Sequence, residues 1–249
     1  MFDQQFTDWL RALETRHLAD LTFPEVSRAL RALSSAYVER RARLSEGAAL
    51  SGAGKRAAFA LFNAPLHALL VRNVALQLPA RARDSGTLID LGCGTGAAGA
   101  AWASACDRPP EVLGIDRHPW AVEEARVTYR AFGLRGRARM DDLTRVILPP
   151  QSHVLAAFAV NELNAPSRRA LLERLLAHAE SQGRVTIIEP LAGFVAPWWK
   201  DWRAACEAVG GRADEWRVKA VLPPLVEKLD RAAGLRHREL TCRSLTMGG

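Results

Sequence analysis

The sequence predicts an α/β protein, in which a doubly wound, mostly parallel sheet follows an all-helical N-terminal extension. Three observations lead to this class. From residue 87 onward, apolar runs of strand length alternate with runs of helical periodicity. The first strand-like run opens into a glycine-rich stretch, and the residues before 84 show helical periodicity alone. We therefore divide the chain into a helical extension, residues 1–83, and a core domain, residues 84–249.

The extension contains several predicted helices. Apolar residues at helical spacing predict a first amphipathic helix over residues 2–18. Thr22 and Glu25 fit a capping box, with Thr22 as N-cap of a second helix. Pro65 is expected to kink or split a later helical run.

Composition excludes several classes of protein. The four cysteines are scattered without a C-x-x-C pair, so we expect neither a metal site nor a disulfide framework. The first residues show no secretion signal, and polar residues interrupt the longest apolar stretch, residues 57–78. We therefore expect a cytoplasmic protein with no membrane span.

The formal net charge of +7 arises mainly in one segment. Residues 25–83 carry ten basic and three acidic side chains. This surplus fits either a solvated helix surface or a surface that contacts nucleic acid. The basic residues that we consider for such contacts are Arg28, Arg31, Arg40, Arg41, Lys55 and Arg56.

The core domain is organised around residues 87–99, TLIDLGCGTGAAG. A short apolar strand ends near Asp90, and an alanine-rich helix follows the glycines. Gly92, Gly94 and Gly96 have no Cβ, so the backbone between strand and helix can turn tightly and a ligand can lie against it. The stretch therefore predicts a loop that binds a nucleotide cofactor.

Two cofactors compete for this loop, because residues 94–99 also match the dinucleotide pattern G-x-G-x-x-G. Asp116, after the second strand, suits the ribose hydroxyls of either cofactor. Asp90, before the glycines, suits a cationic amino-acid ligand and would repel a pyrophosphate. A carboxylate of the pair Asp141 and Asp142, after the third strand, is placed to receive an adenine amino group. The two additional acids favour S-adenosylmethionine over NAD.

With these residues the chain resembles class I S-adenosylmethionine-dependent methyltransferases, which have a seven-stranded Rossmann-like sheet. The resemblance implies that the three loop glycines line the methionine moiety and that Asp116 holds the ribose. It further implies that Asp142, with the amide of Leu143, binds the adenine. We prefer Asp142 to Asp141 for this role. The residues that we assign to the cofactor are Asp90, Gly92, Cys93, Gly94, Gly96, Asp116, Arg117, Asp142, Leu143 and Asn161.

Asn161 and Glu162 follow the predicted fourth strand, residues 154–160. Ligands of doubly wound sheets bind beyond the carboxyl ends of the strands, so these side chains are expected near the transferable methyl group. Asn161 is a candidate to accept a hydrogen bond from a substrate amine, and Glu162 is a candidate base. The alternative is a purely structural cap at the strand end.

The C-terminal part is less regular. Residues 197–202 contain three tryptophans, which either stack on a ring-shaped substrate or pack in the core. Residues 235–247 predict one closing strand, where the methyltransferase fold normally has two.

A second resemblance involves segments of both the extension and the core domain. Residues 23–30, 37–41, 52–59, 64–67 and 158–163 resemble the ribosomal small-subunit methyltransferase-like family of bacteria and mitochondria. It implies ribosomal RNA or the small subunit as partner. The iron–sulfur cysteines of its mitochondrial members are not matched, because residues 190–249 contain only Cys206 and Cys242. Two alternatives stay open: a small-molecule methyltransferase with the extension as a lid, and a non-catalytic assembly or RNA-binding factor.

Overall fold

The computed structural model of the chain describes residues 3–39, 50–79, 86–192 and 196–249. The described residues form two compact units. The helices are α1 (Gln4–His17), α2 (Phe23–Glu39), α3 (Ala53–Ala58), α4 (Ala64–Gln77), α5 (Ala97–Ser104), α6 (Pro119–Ala131), α7 (Ala165–Glu180), α8 (Trp199–Ala208) and α9 (Pro224–Ala233). The strands are β1 (Thr87–Leu91), β2 (Glu111–Asp116), β3 (Gly136–Met140), β4 (His153–Ala157), β5 (Arg184–Pro190), β6 (Arg212–Lys219) and β7 (Glu239–Met247).

The first unit comprises Met1–Leu66 and Lys219–Leu240. Its helices α1, α2, α3 and α9 bury apolar side chains against one another, among them Trp9, Leu30 and Leu229. Asp3 caps α1 by accepting a hydrogen bond from the amide of Phe6 at 2.8 Å. The sequence boundary between residues 83 and 84 separates α9 from the helices with which it packs, because sequence order does not reveal that this late helix returns to the first unit.

The start of α2 confirms half of the predicted capping box. Glu25 accepts hydrogen bonds from the amide and the hydroxyl of Thr22, both at 2.7 Å. In the expected box the Thr22 hydroxyl would instead accept from the Glu25 amide. The difference arises because this hydroxyl donates to the carboxylate.

Pro65 does not split its helical run. The π-helical turn Phe59–Asn63 directly precedes α4, so α3 and α4 form one continuous helical run. Proline has no amide hydrogen and its ring crowds the preceding turn, and the widened π-turn relieves both constraints. Among the described residues, the run Ala53–Gln77 is the helix long and apolar enough to span a membrane, and 56% of its most apolar window is buried.

The second unit comprises His67–Val218 and Thr241–Gly249 and is built on a seven-stranded sheet in the order β3-β2-β1-β4-β5-β7-β6. Strands β1 to β5 pair in parallel, and β7 runs antiparallel to β5. The sheet therefore confirms the predicted fold class. Its order reverses at β1, so the carboxyl ends of β1 and β4 flank the switch point where ligands of such sheets bind.

Candidate functional site

The glycine loop after β1 has the backbone that its sequence predicts. Gly92, Gly94 and Gly96 have φ values of 68°, 52° and 75°, in the left-handed region that favours glycine. The amides of Gly92 and Cys93 both donate to the carbonyl of Ile115 in β2, at 2.8 and 3.0 Å. A Cβ on Gly92 would lie 2.5 Å from the Cβ of Ala159. The loop therefore needs glycine both for its turn and for the close approach of the chain that follows β4.

Asp90 lies beneath this loop and is 1% exposed. Its Oδ2 accepts hydrogen bonds from the Gly99 amide at 3.0 Å and from the Tyr129 hydroxyl at 3.3 Å. Burial raises the pKa of this carboxyl to about 7. The structure thus gives Asp90 a supporting role that joins β1 to α5, and its direct contact with a ligand stays a prediction.

Asp116 ends β2 beside the loop. Its Oδ2 accepts a hydrogen bond from the Gly94 amide at 2.9 Å, and its Oδ1 accepts one from the His118 amide at 2.8 Å. Each oxygen keeps a second lone pair with which to accept from a ligand hydroxyl. Cys93 is 5% exposed, and a Cβ on Gly114 would lie 2.9 Å from its sulfur, so its side chain packs inside the domain.

Asp142 and Leu143 follow β3. Oδ1 of Asp142 accepts from the amide and the hydroxyl of Thr144, at 2.8 and 2.7 Å, and these bonds lower the pKa of the carboxyl. The two oxygens of Asp141 accept from the Asp142 amide and from the guanidinium of Arg139, which pairs with this carboxylate at 3.0 Å. A Cβ on Gly92 would lie 3.7 Å from Leu143, which places Leu143 next to the loop.

Glu162 lies in a 3₁₀ turn, Val160–Glu162, that follows β4. Burial raises the pKa of its carboxyl to about 7, the negative charge of Asp116 adds to this increase, and Arg117 opposes it. Arg117 also lowers the pKa of Asp142. The structure therefore brings Glu162, Asp116, Arg117 and Asp142 into one electrostatic neighbourhood at the carboxyl ends of the strands.

The side-chain carbonyl oxygen of Asn161 is predicted to accept a hydrogen bond from a substrate amine, and this role stays a prediction. That oxygen accepts a hydrogen bond from the indole nitrogen of Trp198 at 3.1 Å, and the side-chain amide donates to Glu189. Sequence reasoning missed Glu189, which is 0% exposed. Its signal in the sequence is its place directly after the apolar and β-branched run VTII, residues 185–188, where a carboxylate needs an explanation.

Phe158 is the first residue after β4 and has a φ of 59°, which is uncommon for a residue with a bulky side chain. Its ring stacks on His67 with a centroid separation of 4.1 Å and an interplanar angle of 19°. Burial lowers the pKa of His67 to about 4, so the imidazole is neutral at physiological pH. This pair adds two rings to the carboxyl end of β4.

The three tryptophans of the C-terminal part pack in the core. Trp198, Trp199 and Trp202 are each at most 9% exposed. The ring centroids of Trp198 and Trp202 lie 4.8 Å apart, at an interplanar angle of 64°. Burial supports the packing interpretation over stacking on a substrate.

The basic residues assigned to RNA contact belong to the first unit and differ in availability. Arg28 is exposed. The guanidinium of Arg31 donates to the Ala232 carbonyl, and that of Arg56 donates to the Leu50 carbonyl, both at 2.9 Å. Lys55 lies 3.2 Å from the hydroxyl of Ser51, to which it donates. Arg40 and Arg41 lie outside the described residues.

The residues of the loop fit an adenosyl cofactor. The left-handed glycines leave the backbone of the loop free of side chains, and the Asp116 carboxylate presents acceptors for paired hydroxyls. Within the described residues, no group of three or more histidine, cysteine, aspartate or glutamate side chains is arranged to hold a metal ion.

Comparison with known proteins agrees with this geometry. Residues 88–183 match the family described as "Methyltransferase domain". The fold is similar to that of the mitomycin 7-O-methyltransferase MmcR, with 15% identity, 96% of this chain and 72% of that chain covered, and a TM-score of 0.56. It is also similar to a putative RNA methyltransferase from Pyrococcus horikoshii, with 14% identity, 74% and 84% covered, and a TM-score of 0.49. No curated protein sequence matches the chain.

Residues 88–183 thus match a methyltransferase domain, in agreement with the prediction from the glycine loop and Asp116. The protein is an S-adenosylmethionine-dependent methyltransferase, and S-adenosylmethionine is its cofactor.

Proposed function

We propose that this methyltransferase acts on RNA of the small ribosomal subunit, in the cytoplasm. One observation carries the proposal. Two of the segments that resemble the ribosomal small-subunit family, residues 64–67 and 158–163, meet where His67 stacks on Phe158. Segments distant in sequence therefore contribute to one place at the carboxyl end of β4, which is where the acceptor of a doubly wound methyltransferase is expected.

The site offers a group to take up a proton. S-adenosylmethionine, when bound, supplies an electrophilic methyl group. An acceptor N–H or O–H that gains the methyl group must lose its proton, and we assign that proton to the Glu162 carboxylate. A pKa of about 7 suits this role, because a general base works best near the operating pH. Burial raises the pKa of Glu162 into this range, with a smaller increase from the Asp116 charge that Arg117 opposes.

An RNA substrate also needs phosphate contacts, and the first unit offers them. Arg236 and Arg238 line a groove of about 630 Å³, whose lining also includes two carboxylates, Glu227 paired with Arg231 and Asp230 paired with His237. Both arginines are exposed, and no carboxylate in the described part of the chain forms an ion pair with either of them. With Arg28 they form a set of cations available to an RNA backbone, and contacts of this kind make binding dependent on salt.

Small-molecule methylation is the second candidate. It is favoured by the hydrogen bonds of Arg31 and Arg56 to carbonyl groups, because these bonds remove two of the predicted cations from phosphate contact. Under this alternative the helical extension would serve as a lid.

A labelling experiment separates the candidates. The protein is incubated with methyl-labelled S-adenosylmethionine and extract of its own cells, and RNA, protein and small molecules are then fractionated. The proposal predicts label in small-subunit ribosomal RNA, and no such label with Glu162→Gln. Label in small molecules supports the second candidate, and RNA binding without any label indicates a non-catalytic factor. Either of these results contradicts the proposal.

A second experiment addresses the RNA surface. We expect the variant Arg236→Gln with Arg238→Gln to weaken binding to small-subunit RNA and to reduce the slope of log affinity against log salt by about two. Arg108→Gln with Arg169→Gln is the control, because it removes the same charge from exposed positions of the second unit. Equal effects of the two double variants would assign the binding to net charge alone.

A further inference from the structure

Glu189 is the penultimate residue of β5 and is completely buried. Its carboxylate lies next to the turn that carries Glu162. Its Oε1 accepts hydrogen bonds from the amides of Val160 and Asn161, at 2.9 and 3.3 Å. Its Oε2 accepts a hydrogen bond from the side-chain amide of Asn161. Three donors of one short turn therefore converge on a single carboxylate.

The backbone explains why the turn needs this carboxylate. The amide of Phe158 still donates to the Ile188 carbonyl, at 2.8 Å, but the left-handed φ of Phe158 then carries the chain out of the sheet. The amides of Val160 and Asn161 consequently have no carbonyl of β5 to pair with. Buried backbone amides need acceptors, and the Glu189 side chain supplies them.

The other side of the turn is fixed by Trp198. Its indole nitrogen donates to the Asn161 oxygen at 3.1 Å, and its ring packs among the buried tryptophans. Asn161 therefore connects Glu189 to Trp198 through both atoms of its amide. An arrangement in which every donor meets an acceptor leaves the turn one favoured conformation.

We propose that Glu189 is a positioning residue: through Asn161 and the amides of Val160 and Asn161, it fixes the turn that presents Glu162 to the methyl acceptor. This inference rests on the proposed role of Glu162 as proton acceptor. It assigns to Asn161 the support of the turn. It also requires the two acceptor oxygens of the Glu189 carboxylate, so a side chain of the same size is not sufficient. Glutamine in its place has only one oxygen, and its side-chain NH2 group would face the NH2 group of Asn161, although both groups are donors.

This donor conflict suggests a test by exchange of the two functional groups. In Glu189→Gln alone, the NH2 group of the glutamine side chain faces the NH2 group of the Asn161 side chain. Glu189→Gln combined with Asn161→Asp restores the pairing. The NH2 group of the glutamine then donates to the aspartate, while the glutamine oxygen still accepts from the backbone amides. The new aspartate also keeps an oxygen for Trp198. Glu173→Gln is the control, because Glu173 is exposed on α7.

Two measurements give the outcome. Hydrogen exchange at the Val160 and Asn161 amides is expected to accelerate at least tenfold in Glu189→Gln, and to slow again in the double variant. With the labelled acceptor fraction, kcat is expected to fall about tenfold to one hundredfold in Glu189→Gln, while the Kd of S-adenosylmethionine for this single variant changes less than twofold. In the double variant kcat is expected to recover in part.

Unchanged exchange in Glu189→Gln, or accelerated exchange with unchanged kcat, would overturn the inference. A loss of kcat that the double variant does not recover would also overturn it, because restored pairing would then have no consequence. Failure of the proposed function looks different: the wild-type protein then labels no RNA, while the exchange data still decide whether Glu189 fixes the turn.

Discussion

The amide of Gly94 donates a hydrogen bond of 2.9 Å to Asp116, and this bond ties the glycine loop to the end of β2. The other carboxylate oxygen of Asp116 accepts from the His118 amide at 2.8 Å. Two backbone donors thus fix the plane of the carboxylate before a ligand arrives. A preoriented acceptor costs little conformational entropy on binding, which favours tight recognition of the ribose hydroxyls.

We expect Asp142 and Asp141 to differ in their effect on the cofactor. Asp142→Ala should weaken the binding of S-adenosylmethionine several-fold, because Oδ2 of Asp142 forms no close hydrogen bond to a described residue and lies 3.9 Å from Arg145. Asp141→Ala should change the Kd less than twofold, because the Arg139 guanidinium already pairs with the Asp141 carboxylate at 3.0 Å. Calorimetric titration of the two variants measures this difference. A larger loss for Asp141→Ala would transfer the adenine assignment to Asp141.

Gly99→Ala is expected to destabilise the protein by about 1–3 kcal/mol, a typical range for overpacking. A Cβ at this position would lie 2.5 Å from Oδ2 of Asp90, so the buried carboxylate would lose its hydrogen bonds or shift. Gly86→Ala is the control, because its Cβ would meet no heavy atom within 4 Å and its φ is not in the left-handed region. Urea denaturation gives both values. A similar free energy of unfolding for the two variants would contradict the close packing of α5 on β1.

Stability is expected to decrease as pH rises from about 6.5 to just above 7. Burial raises the pKa of Asp90 to about 7 and of Glu162 to about 7, both above their unfolded values. Burial lowers the pKa of His67 to about 4 and of His153 to about 3, so these histidines oppose the trend only below about pH 6.5, where they are protonated in the unfolded state alone. In the window the folded state binds more protons than the unfolded state, so the free energy of unfolding falls by at most about 1.4 kcal/mol per pH unit for each carboxyl.

Denaturant titrations over a pH series measure this slope. Glu162→Gln should make it shallower because it removes one of the two groups, whereas Asp107→Asn, at an exposed position, should leave it unchanged. A free energy of unfolding that is constant or rises across the window would show that Asp90 and Glu162 are ionised in the folded protein.

The parts of the site that the sequence predicts are those with a local pattern. A buried strand, an acid and three glycines require neighbours that are close along the chain, so the loop and the place of Asp116 follow from residues 87–116. The same holds for α1, where Phe6, Trp9 and Leu13 recur at helical spacing and are buried.

Features that depend on distant residues could not be predicted in this way. Strand β6 was missed because its sequence RADEWRVK is largely charged and its residues are only exposed or partly buried, as on an edge strand. The role of Glu189 depends on donors such as the Val160 amide, which lies 29 residues earlier in the chain. The return of α9 to the first unit depends on tertiary packing that periodicity does not encode.

Titration of the protein with S-adenosylmethionine and, separately, with NAD tests the central claim most directly. We predict saturable binding of S-adenosylmethionine alone, and a loss of affinity of about tenfold or more in Asp116→Ala, since hydrogen bonds to a charged group contribute about 1.5–3 kcal/mol. Asp107→Ala should bind like the wild type. Binding of NAD, or an unchanged affinity for S-adenosylmethionine in Asp116→Ala, would contradict the assignment of the glycine loop and Asp116 to this cofactor.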